Sequence, residues 1–208
     1  MEKHYGYDIR EIIMLNPIKT LAKQIKTERL ELRQLDANIE NAKLIFNAIK
    51  DENPKDFYFN QIVDIDIIPT SPQQMLQQMK LEEEFIRLNG VIFYVFYNND
   101  LIGYKRLYFN NEDVRMTLQS SNIWLKKSAW GHGFSQEINK KIDEIAFTQL
   151  GAKRITTQCS TENTRSAKSL KSSGFHLDGI ARGGGFLPDG TVYDNMFWSK
   201  LKSEYLGK

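Results

Sequence analysis

A strand-like run ends at Leu125, two glycines one residue apart follow at Gly131 and Gly133, and a helical pattern begins directly after them. Glycine allows a tight turn and leaves the backbone N–H groups exposed. Together with the unpaired N–H groups of the first helical turn, such a loop forms a cradle for an anion, and a phosphate or pyrophosphate is the expected guest. A plain turn is the alternative interpretation of a Gly-x-Gly pair.

This loop differs from two other phosphate-binding motifs. No Gly-Lys-Ser or Gly-Lys-Thr follows the glycines, as a P-loop requires. The third glycine of the dinucleotide fingerprint is missing, and the flanking sheet is predicted to be antiparallel. The loop therefore has to be interpreted together with the rest of the chain.

Helix and strand patterns alternate along the chain. Helical spacing predicts helices over 37–51, 71–88, 138–150 and 164–172, the first with Asp36 and the second with Ser71 as N-cap. Strand patterns cover 29–33, 91–97, 101–109, 115–125, 154–160, 175–181 and 191–201. The three strands between 91 and 125 predict an antiparallel meander. This order predicts a mixed α/β fold, with a single, largely antiparallel central sheet flanked by helices.

The length of 208 residues predicts one domain with an extension. The pattern sharpens near Thr27, so residues 1–25 are expected to form an N-terminal extension and residues 26–208 the main domain. Within the extension, an apolar cluster at 12–15 fits a short helix. Residues 54–70 are irregular and aromatic-rich, and we expect them either to cover the core or to shape a substrate pocket.

Composition excludes several classes of protein. Lys and Arg number 28 against 26 Asp and Glu, a formal charge of +2, which argues against a dedicated nucleic-acid-binding protein. No run reaches the ~18 uncharged apolar residues of a membrane span, so no membrane partner is expected. The single cysteine, Cys159, excludes an internal disulfide, and His4, His132 and His176 lack metal-ligand spacing, so no metal is expected. One cysteine fits a reducing compartment, and we expect a cytoplasmic protein.

Five segments, in order, resemble one family. The run Trp130–Glu137 resembles the W-G-x-G-Y-A-T-E acetyl-CoA loop of the GNAT N-acetyltransferase superfamily, in its ribosomal-protein N-terminal acetyltransferase (RimJ/RimL) branch. The other four are Thr27–Arg33, which resembles T-x-R-L-x-L-R; Leu150–Ile155, L-G-x-x-R-I; Asn163–Phe175, N-x-x-S-x-x-x-L-x-x-x-G-F; and Asp189–Leu201, D-G-x-x-x-D…L. The resemblance covers about residues 26–206 and implies the GNAT acyl-CoA N-acyltransferase fold.

The resemblance implies that acetyl moves from acetyl-CoA to a primary amine by direct attack, without a covalent enzyme intermediate. The acceptor it implies is either a protein N-terminus or a small-molecule amine. The backbone of Leu125 and Lys126 would pair with the pantetheine arm where two strands splay apart, and the Asn163 side-chain amide would contact the cofactor. The loop residues that would hold the CoA pyrophosphate through their amides are Gly131, His132, Gly133, Phe134, Ser135 and Gln136.

Basic residues cluster around these loops and suit the negative charges of CoA: Lys126, Lys127, His132, Arg165, Lys168 and Lys171. Lys168 and Lys171 lie three residues apart on one helix face. We assign Lys168 to the cofactor site. The alternative is that these side chains only form a solvated helix face.

Two residues are catalytic candidates. Ser166 stands where the family uses a hydroxyl to protonate the departing thiolate; the alternative is a serine that bonds the backbone of the first helical turn. Where relatives read A-E-I-G-Y-W before the loop, with a glutamate that accepts the amine proton, residues 119–124 carry no carboxylate. Asp194, Glu112 or a water chain would then serve as base, and Asp194 is otherwise a structural aspartate paired with the backbone or Arg182.

Two further interpretations remain open at this point. Cys159 is expected to be a buried small residue rather than a nucleophile, because no histidine partner lies near it in the sequence. The missing carboxylate leaves a second function, a non-catalytic acyl-CoA-binding module, as the alternative to an enzyme.

Overall fold

The computed structural model describes residues 17–52, 69–87, 89–110, 116–120, 123–186 and 190–207. Its α-helices are α1 (Ile39–Ile49), α2 (Pro72–Ile86), α3 (Phe134–Glu144), α4 (Thr164–Ser172) and α5 (Lys202–Tyr205), and a π-helix continues α3 from Ile145 to Gln149. Its strands are β1 (Gln24–Lys26), β2 (Glu31–Arg33), β3 (Gly90–Tyr97), β4 (Asp100–Asn110), β5 (Thr117–Gln119), β6 (Ile123–Leu125), β7 (Arg154–Ser160), β8 (His176–Phe186) and β9 (Val192–Leu201). The predicted mixed α/β class is confirmed.

One sheet runs through the described residues in the order β1-β2-β3-β4-β5-β7-β9-β8, and β6 pairs with β4 beside β5. All pairs are antiparallel except β5–β7, which is parallel. Asn98 and Asn99 have φ of 50° and 69° in the two-residue turn between β3 and β4, the left-handed pair that suits such a hairpin.

The single strand predicted over 115–125 is wrong, because the chain forms two short strands there. Both pair with β4, β5 through Tyr108–Asn110 and β6 through Gly103–Lys105. Ser120 lies between them, and its N–H donates to the Thr156 carbonyl of β7 at 2.8 Å. This bond to a strand far along the sequence interrupts the meander.

Beyond Ser120 the sheet splays. β6 pairs with β4, and β7 pairs with β5 only as far as Thr156. β9 pairs with the other side of β7 from Arg154 to Ser160, and from Thr157 onward it is the only strand paired with β7 among the described residues. Among the described residues, a gap therefore separates Leu125 from the second half of β7.

Helices cover both faces of β3 and β4. Alternate residues of a strand point to opposite faces, and β3 is buried on both. Phe93 packs with the core beneath α3, around Ile138 and Ile142, whereas Tyr94 packs beneath α1 and α2, around Ile45 and Met79. The α3 side continues to β7 and β9 through Ile155 and Trp198.

The cap of α2 is as predicted, and the cap of α1 is not. Ser71 accepts from Gln74 N at 3.2 Å, with Pro72 in the first turn. In α1 the cap is Asn38, whose Oδ1 accepts from Asn41 N at 2.9 Å. Asp36 lies two residues too early and pairs with Lys23 at 3.2 Å instead.

The predicted boundary at residue 26 falls within β1. Ile18 and Leu21 belong to the main core, and Ile25 lies opposite Leu32 in the β1–β2 ladder. Residues 1–16, Glu112 and most of 54–70 lie outside the described residues, so the division into extension and domain and the role of 54–70 stay predictions. No helix among the described residues is long and apolar enough to cross a membrane.

Candidate functional site

The loop between β6 and α3 contains two left-handed glycines. Gly131 has φ of 80° and Gly133 has φ of 76°, a region that other residues adopt only with strain. A Cβ at Gly131 would meet no atom within 4 Å, and one at Gly133 would meet only the Arg29 guanidinium at 3.7 Å. The glycines are therefore needed for the backbone path, and the space in front of the loop is open.

The first turn of α3 faces this open space. Gly133 is the N-cap and has no side chain to cap the helix, and the first helical bond runs from Glu137 N to Gly133 O at 3.1 Å. The amides of Phe134, Ser135 and Gln136 precede that bond, so they have no intrahelical acceptor. A helix N-terminus of this kind carries partial positive charge and suits a phosphate.

Glu137 fastens the loop to the edge of the sheet. Its carboxylate accepts from Arg29 N and Arg29 Nε, both at 2.7 Å, and from the Thr27 hydroxyl. Arg29 Nη1 also donates to the His132 carbonyl at 3.0 Å. Burial opposes ionisation of Glu137, but the bonds from Thr27 and Arg29 outweigh it and lower the pKa of the carboxyl. The segments Thr27–Arg33 and Trp130–Glu137 are both recognisable as motifs in the sequence, but the sequence does not predict that they touch.

The two aromatic side chains of the loop differ in burial. Phe134 is buried, with its ring 4.9 Å from the Tyr97 ring and 4.7 Å from the Arg29 guanidinium. His132 is exposed, and its ring lies 5.6 Å from that of Phe134. An anchored Phe134 side chain fixes the direction of its own amide.

A row of polar contacts joins α3 to α4. The Ser135 and Ser169 hydroxyls lie 3.0 Å apart, and Gln136 Nε2 donates to the Ser172 hydroxyl at 3.3 Å. One turn further along, Asn139 Nδ2 donates to Ser173 Oγ at 3.1 Å. Because Ser135 and Gln136 direct their side chains at α4, they offer the loop their backbone amides.

The two residues predicted to bind the pantetheine arm, Leu125 and Lys126, differ in whether β4 already uses their backbone groups. Lys126 N donates to Ile102 O in β4 at 2.8 Å, and Lys126 O accepts from Ala129 N at 2.9 Å. Backbone groups of successive strand residues point to opposite sides, so the amide and carbonyl of Leu125 face the gap. The geometry favours Leu125, and it counts against the Lys126 amide, which β4 already uses.

Asn163 begins α4 on the other side of the gap. Its Oδ1 accepts from Ser166 N at 3.0 Å and caps the helix, which leaves the Nδ2 donor of the amide for a cofactor. Lys168 lies one turn further and is exposed. Sequence reasoning did not predict that Asn163 is the N-cap, although its residue type before a helical pattern is a capping signal.

The Ser166 hydroxyl faces a sulfur atom inside the protein. It lies close enough to the thiol of Cys159, on β7, to lower the pKa of that thiol. Trp198 acts in the same direction, but burial outweighs both and raises the pKa of the Cys159 thiol. Cys159 is buried, as predicted, and its thiol stays protonated at neutral pH.

Asp194 lies on β9 and pairs with the backbone. Its Oδ1 accepts from Gly183 N at 2.9 Å, and its carbonyl accepts from Thr161 N at 2.9 Å. These bonds agree with the structural interpretation of this aspartate, and its role as base stays a prediction. No group of three His, Cys, Asp or Glu side chains in the described part of the chain is placed to hold a metal ion.

Comparison with known proteins gives the class. The acetyltransferase (GNAT) domain family matches residues 29–176. The chain belongs to this family: it is an acetyl-CoA-dependent N-acetyltransferase. Acetyl-CoA is its cosubstrate, and the open left-handed loop at the start of α3 fits the pyrophosphate that this molecule carries.

Individual proteins are similar to this chain in sequence or in fold. The chain is 29% identical over 182 residues to the uncharacterized N-acetyltransferase p20 of Bacillus licheniformis, covering 87% of this chain and 97% of that protein. RimL, a ribosomal L7/L12 alpha-N-protein acetyltransferase in complex with coenzyme A, shares the fold with a TM-score of 0.70 and 16% sequence identity, over 86% of this chain and 97% of that one. The spermidine N-acetyltransferase from Vibrio cholerae in complex with CoA and spermine shares the fold with a TM-score of 0.67 and 20% sequence identity, over 86% of this chain and 98% of that one.

Proposed function

We propose that this protein transfers acetyl from acetyl-CoA to a primary amine by direct attack, with the CoA pyrophosphate on the Gly131–Gln136 loop. The observation that carries the placement is the loop itself: two left-handed glycines open to solvent, followed by uncapped helical amides. Amides aimed at one point bind a pyrophosphate without a positively charged side chain. The loop lies beside the gap between β6 and β7, which gives the rest of the cofactor a path into the sheet.

The remaining cofactor contacts follow this path. The Leu125 amide faces the gap and donates to the pantetheine arm as a further strand would, whereas the Leu125 carbonyl already accepts from Trp130 Nε1. On the opposite wall, Asn163 offers Nδ2, and the exposed Lys168 meets the phosphates. Together these groups fix the thioester so that a free amine meets its carbonyl carbon in an attack geometry.

The chemical step needs two proton movements. The amine nitrogen forms a bond to the acetyl carbon, the carbon–sulfur bond breaks, and the sulfur leaves as a thiolate. Ser166 either donates a hydrogen bond to that sulfur or gives it a proton, which the serine then regains from solvent. The amine loses its proton to Asp194 or to a water chain, since among the described residues of 119–124 no side chain is a carboxylate. Transfer is direct, because a buried, protonated Cys159 thiol is a poor nucleophile.

For the acceptor, we propose a protein N-terminal α-amine, as in the RimJ/RimL branch. The five motif segments of that branch support this choice, and so does the fold shared with RimL. A small-molecule amine is the second candidate, favoured by the fold shared with the spermidine enzyme. The cytoplasmic location expected from the lone cysteine stays a prediction.

Thiol release with a panel of amines tests both levels of the proposal. Acetyl-CoA is mixed with peptides that carry free N-termini, the same peptides with blocked N-termini, polyamines and aminoglycosides. Turnover with free peptides alone supports the N-terminal acceptor, and turnover with polyamines supports the second candidate. CoA binding by calorimetry with no thiol release from any acceptor would instead favour a non-catalytic acyl-CoA-binding module.

A further inference from the structure

One side-chain contact crosses the splayed gap. Trp130 is the last residue before Gly131, and its indole Nε1 donates to the Leu125 carbonyl at 2.8 Å. The guanidinium carbon of Arg165, from the first turn of α4, lies 3.2 Å from the centre of the Trp130 ring. The indole thus contacts the β6 wall with its edge and the α4 wall with its face.

This contact lies on the path assigned to the cofactor. The Leu125 carbonyl that Trp130 reaches faces the gap, since the neighbouring Lys126 amide points into β4. Arg165 is two residues beyond Asn163, the cap of α4. A molecule that runs from the loop into the gap therefore passes the Trp130–Arg165 pair.

The two partners are suited to holding an anionic, extended ligand. A guanidinium stacks on an aromatic ring with its flat face, while its N–H donors lie in the plane at its edge. Arg165 can therefore keep its contact with Trp130 while it adds positive charge beside the loop. A lysine in its place would supply the charge but not the flat face.

We propose that Trp130 and Arg165 form a strap across the gap, beneath which the pantetheine arm of CoA is held, and that opening of this strap governs CoA release. The inference rests on the proposed placement of CoA at the Gly131–Gln136 loop. Trp130 and Arg165 are then positioning residues for the cofactor, and they act through their contact with each other as well as through contact with the ligand.

Release of CoA, followed by stopped flow on displacement with excess acetyl-CoA, tests the strap. Arg165→Ala should raise the release rate roughly ten-fold, the ratio expected for loss of one cation–π contact near a partly desolvated site. Arg165→Lys should stay close to Arg165→Ala. Lys43→Ala, which removes an exposed charge on α1, should release CoA at the wild-type rate. Recovery of the wild-type rate in Arg165→Lys would mean that Arg165 only attracts phosphate, and would overturn the strap.

A double-mutant cycle tests whether the two residues act together. Trp130→Ala should raise the release rate as Arg165→Ala does, and the double variant should exceed neither by more than about two-fold. Additive effects would overturn the inference. If Trp130→Ala does not fold, Trp130→Leu takes its place in the cycle.

A last comparison separates this inference from the placement of CoA. Gly133→Asp should abolish CoA binding if the loop holds the pyrophosphate. Loss of binding in Gly133→Asp, with unchanged release in Arg165→Ala and Trp130→Ala, would leave the placement standing and remove the strap. Unchanged affinity in Gly133→Asp would remove the placement itself.

Discussion

Glu137 Oε2 and Arg29 Nε lie 2.7 Å apart, and this ion pair joins the first turn of α3 to the edge of the sheet. The same guanidinium reaches the His132 carbonyl inside the loop at 3.0 Å and packs over Phe134. One arginine thus fixes three parts of the proposed pyrophosphate cradle. Two segments 108 residues apart in the chain are brought together to shape a loop whose working groups are backbone amides.

Loss of the Glu137 charge should weaken both the fold and the loop. Because the pKa of Glu137 is lowered in the folded protein, its ionised form stabilises the fold above the ordinary value of about 4.3, and this stabilisation disappears as the pH falls through the folded pKa. Glu137→Gln should therefore have a lower melting temperature than wild type at pH 7, and the two melting temperatures should differ less at pH 3. Thermal unfolding across this range measures it.

The same variant carries a second readout. CoA affinity of Glu137→Gln, measured by calorimetry at pH 7, should fall several-fold, because the His132 carbonyl and Phe134 lose their fixed support. Glu144→Gln, which removes a half-exposed carboxylate at the other end of α3, serves as the control and should bind CoA normally. Equal losses of CoA affinity in the two variants would show that the loss of a negative charge, and not the loss of support for the loop, is responsible.

Gly133→Asp should abolish CoA binding. The aspartate would place negative charge where the pyrophosphate is expected, at a position where a Cβ meets little protein. Gly133→Asn is the matched control, since asparagine has the same shape, no charge, and tolerates the left-handed region. Calorimetry on both folded variants should show a large loss for Asp and a small one for Asn. Similar losses would point to backbone strain rather than charge.

Lys105 should make the stability of the protein depend on pH near neutrality. Burial lowers the pKa of Lys105 to about 7, against the opposing attraction of Asp143. The unfolded chain keeps this proton up to about pH 10.4, so it binds more protons than the folded chain between 7 and 10.4. The free energy of unfolding should therefore rise with pH across this window, by up to about 1.4 kcal/mol per pH unit from this one group.

Urea unfolding between pH 6.5 and 9.5 checks the slope against Lys105→Met. The variant should lose this contribution, while exposed Lys43→Met keeps it. Lys105→Met also removes the donor to the Ser120 carbonyl at 3.2 Å, so its stability at high pH should fall below that of wild type. Parallel slopes in wild type and Lys105→Met would show that Lys105 keeps an ordinary pKa.

Cys159→Ala should keep most of kcat. The thiol is buried and its pKa is raised, so it has little thiolate with which to accept acetyl. Mass spectrometry after brief mixing with acetyl-CoA should find no acetyl on the wild-type cysteine. An acetylated Cys159 that turns over would contradict direct transfer.

How far the sequence predicts this molecule depends on the range of the interactions. Ser71 as cap of α2 and the Asn98-Asn99 turn were predictable, because both depend on neighbouring residues. The break between β5 and β6 was not, because it depends on the bond from Ser120 to Thr156 in β7. The Asp36 cap failed for a local reason: two capping residues stand close together, and Asn38 is the one whose side chain reaches the first turn.

The candidate site also combines local features, which the sequence predicts, with contacts between distant residues, which it does not. The glycines of the loop were recognisable from their spacing, since a left-handed turn before a helix requires them. The support of the loop by Arg29 and the contact of Trp130 with Arg165 join distant parts of the chain, and no periodicity encodes such pairs. The same holds for Ser166, whose hydroxyl meets a sulfur on a neighbouring strand.

Ser166 is the residue on which the chemical proposal depends most. A proton donor used only in the transition state lowers kcat and kcat/KM together when it is removed, and leaves cofactor binding intact. Ser166→Ala should therefore lower both constants by a similar factor, with an unchanged CoA affinity. The helix cap stays in place in this variant, because Asn163 bonds to the backbone N–H of Ser166 and not to its hydroxyl.

The contact with Cys159 supplies the control that this experiment needs. A serine that only packs against the thiol would give Ser166→Ala a lower melting temperature and a normal kcat. Cys159→Ala removes the thiol from the other side of this contact and leaves the hydroxyl in place. If Ser166 acts on the CoA sulfur, Ser166→Ala should lose far more kcat than Cys159→Ala. Equal kinetics in the two variants would remove Ser166 from the reaction and leave a site that works by positioning the thioester beside a free amine.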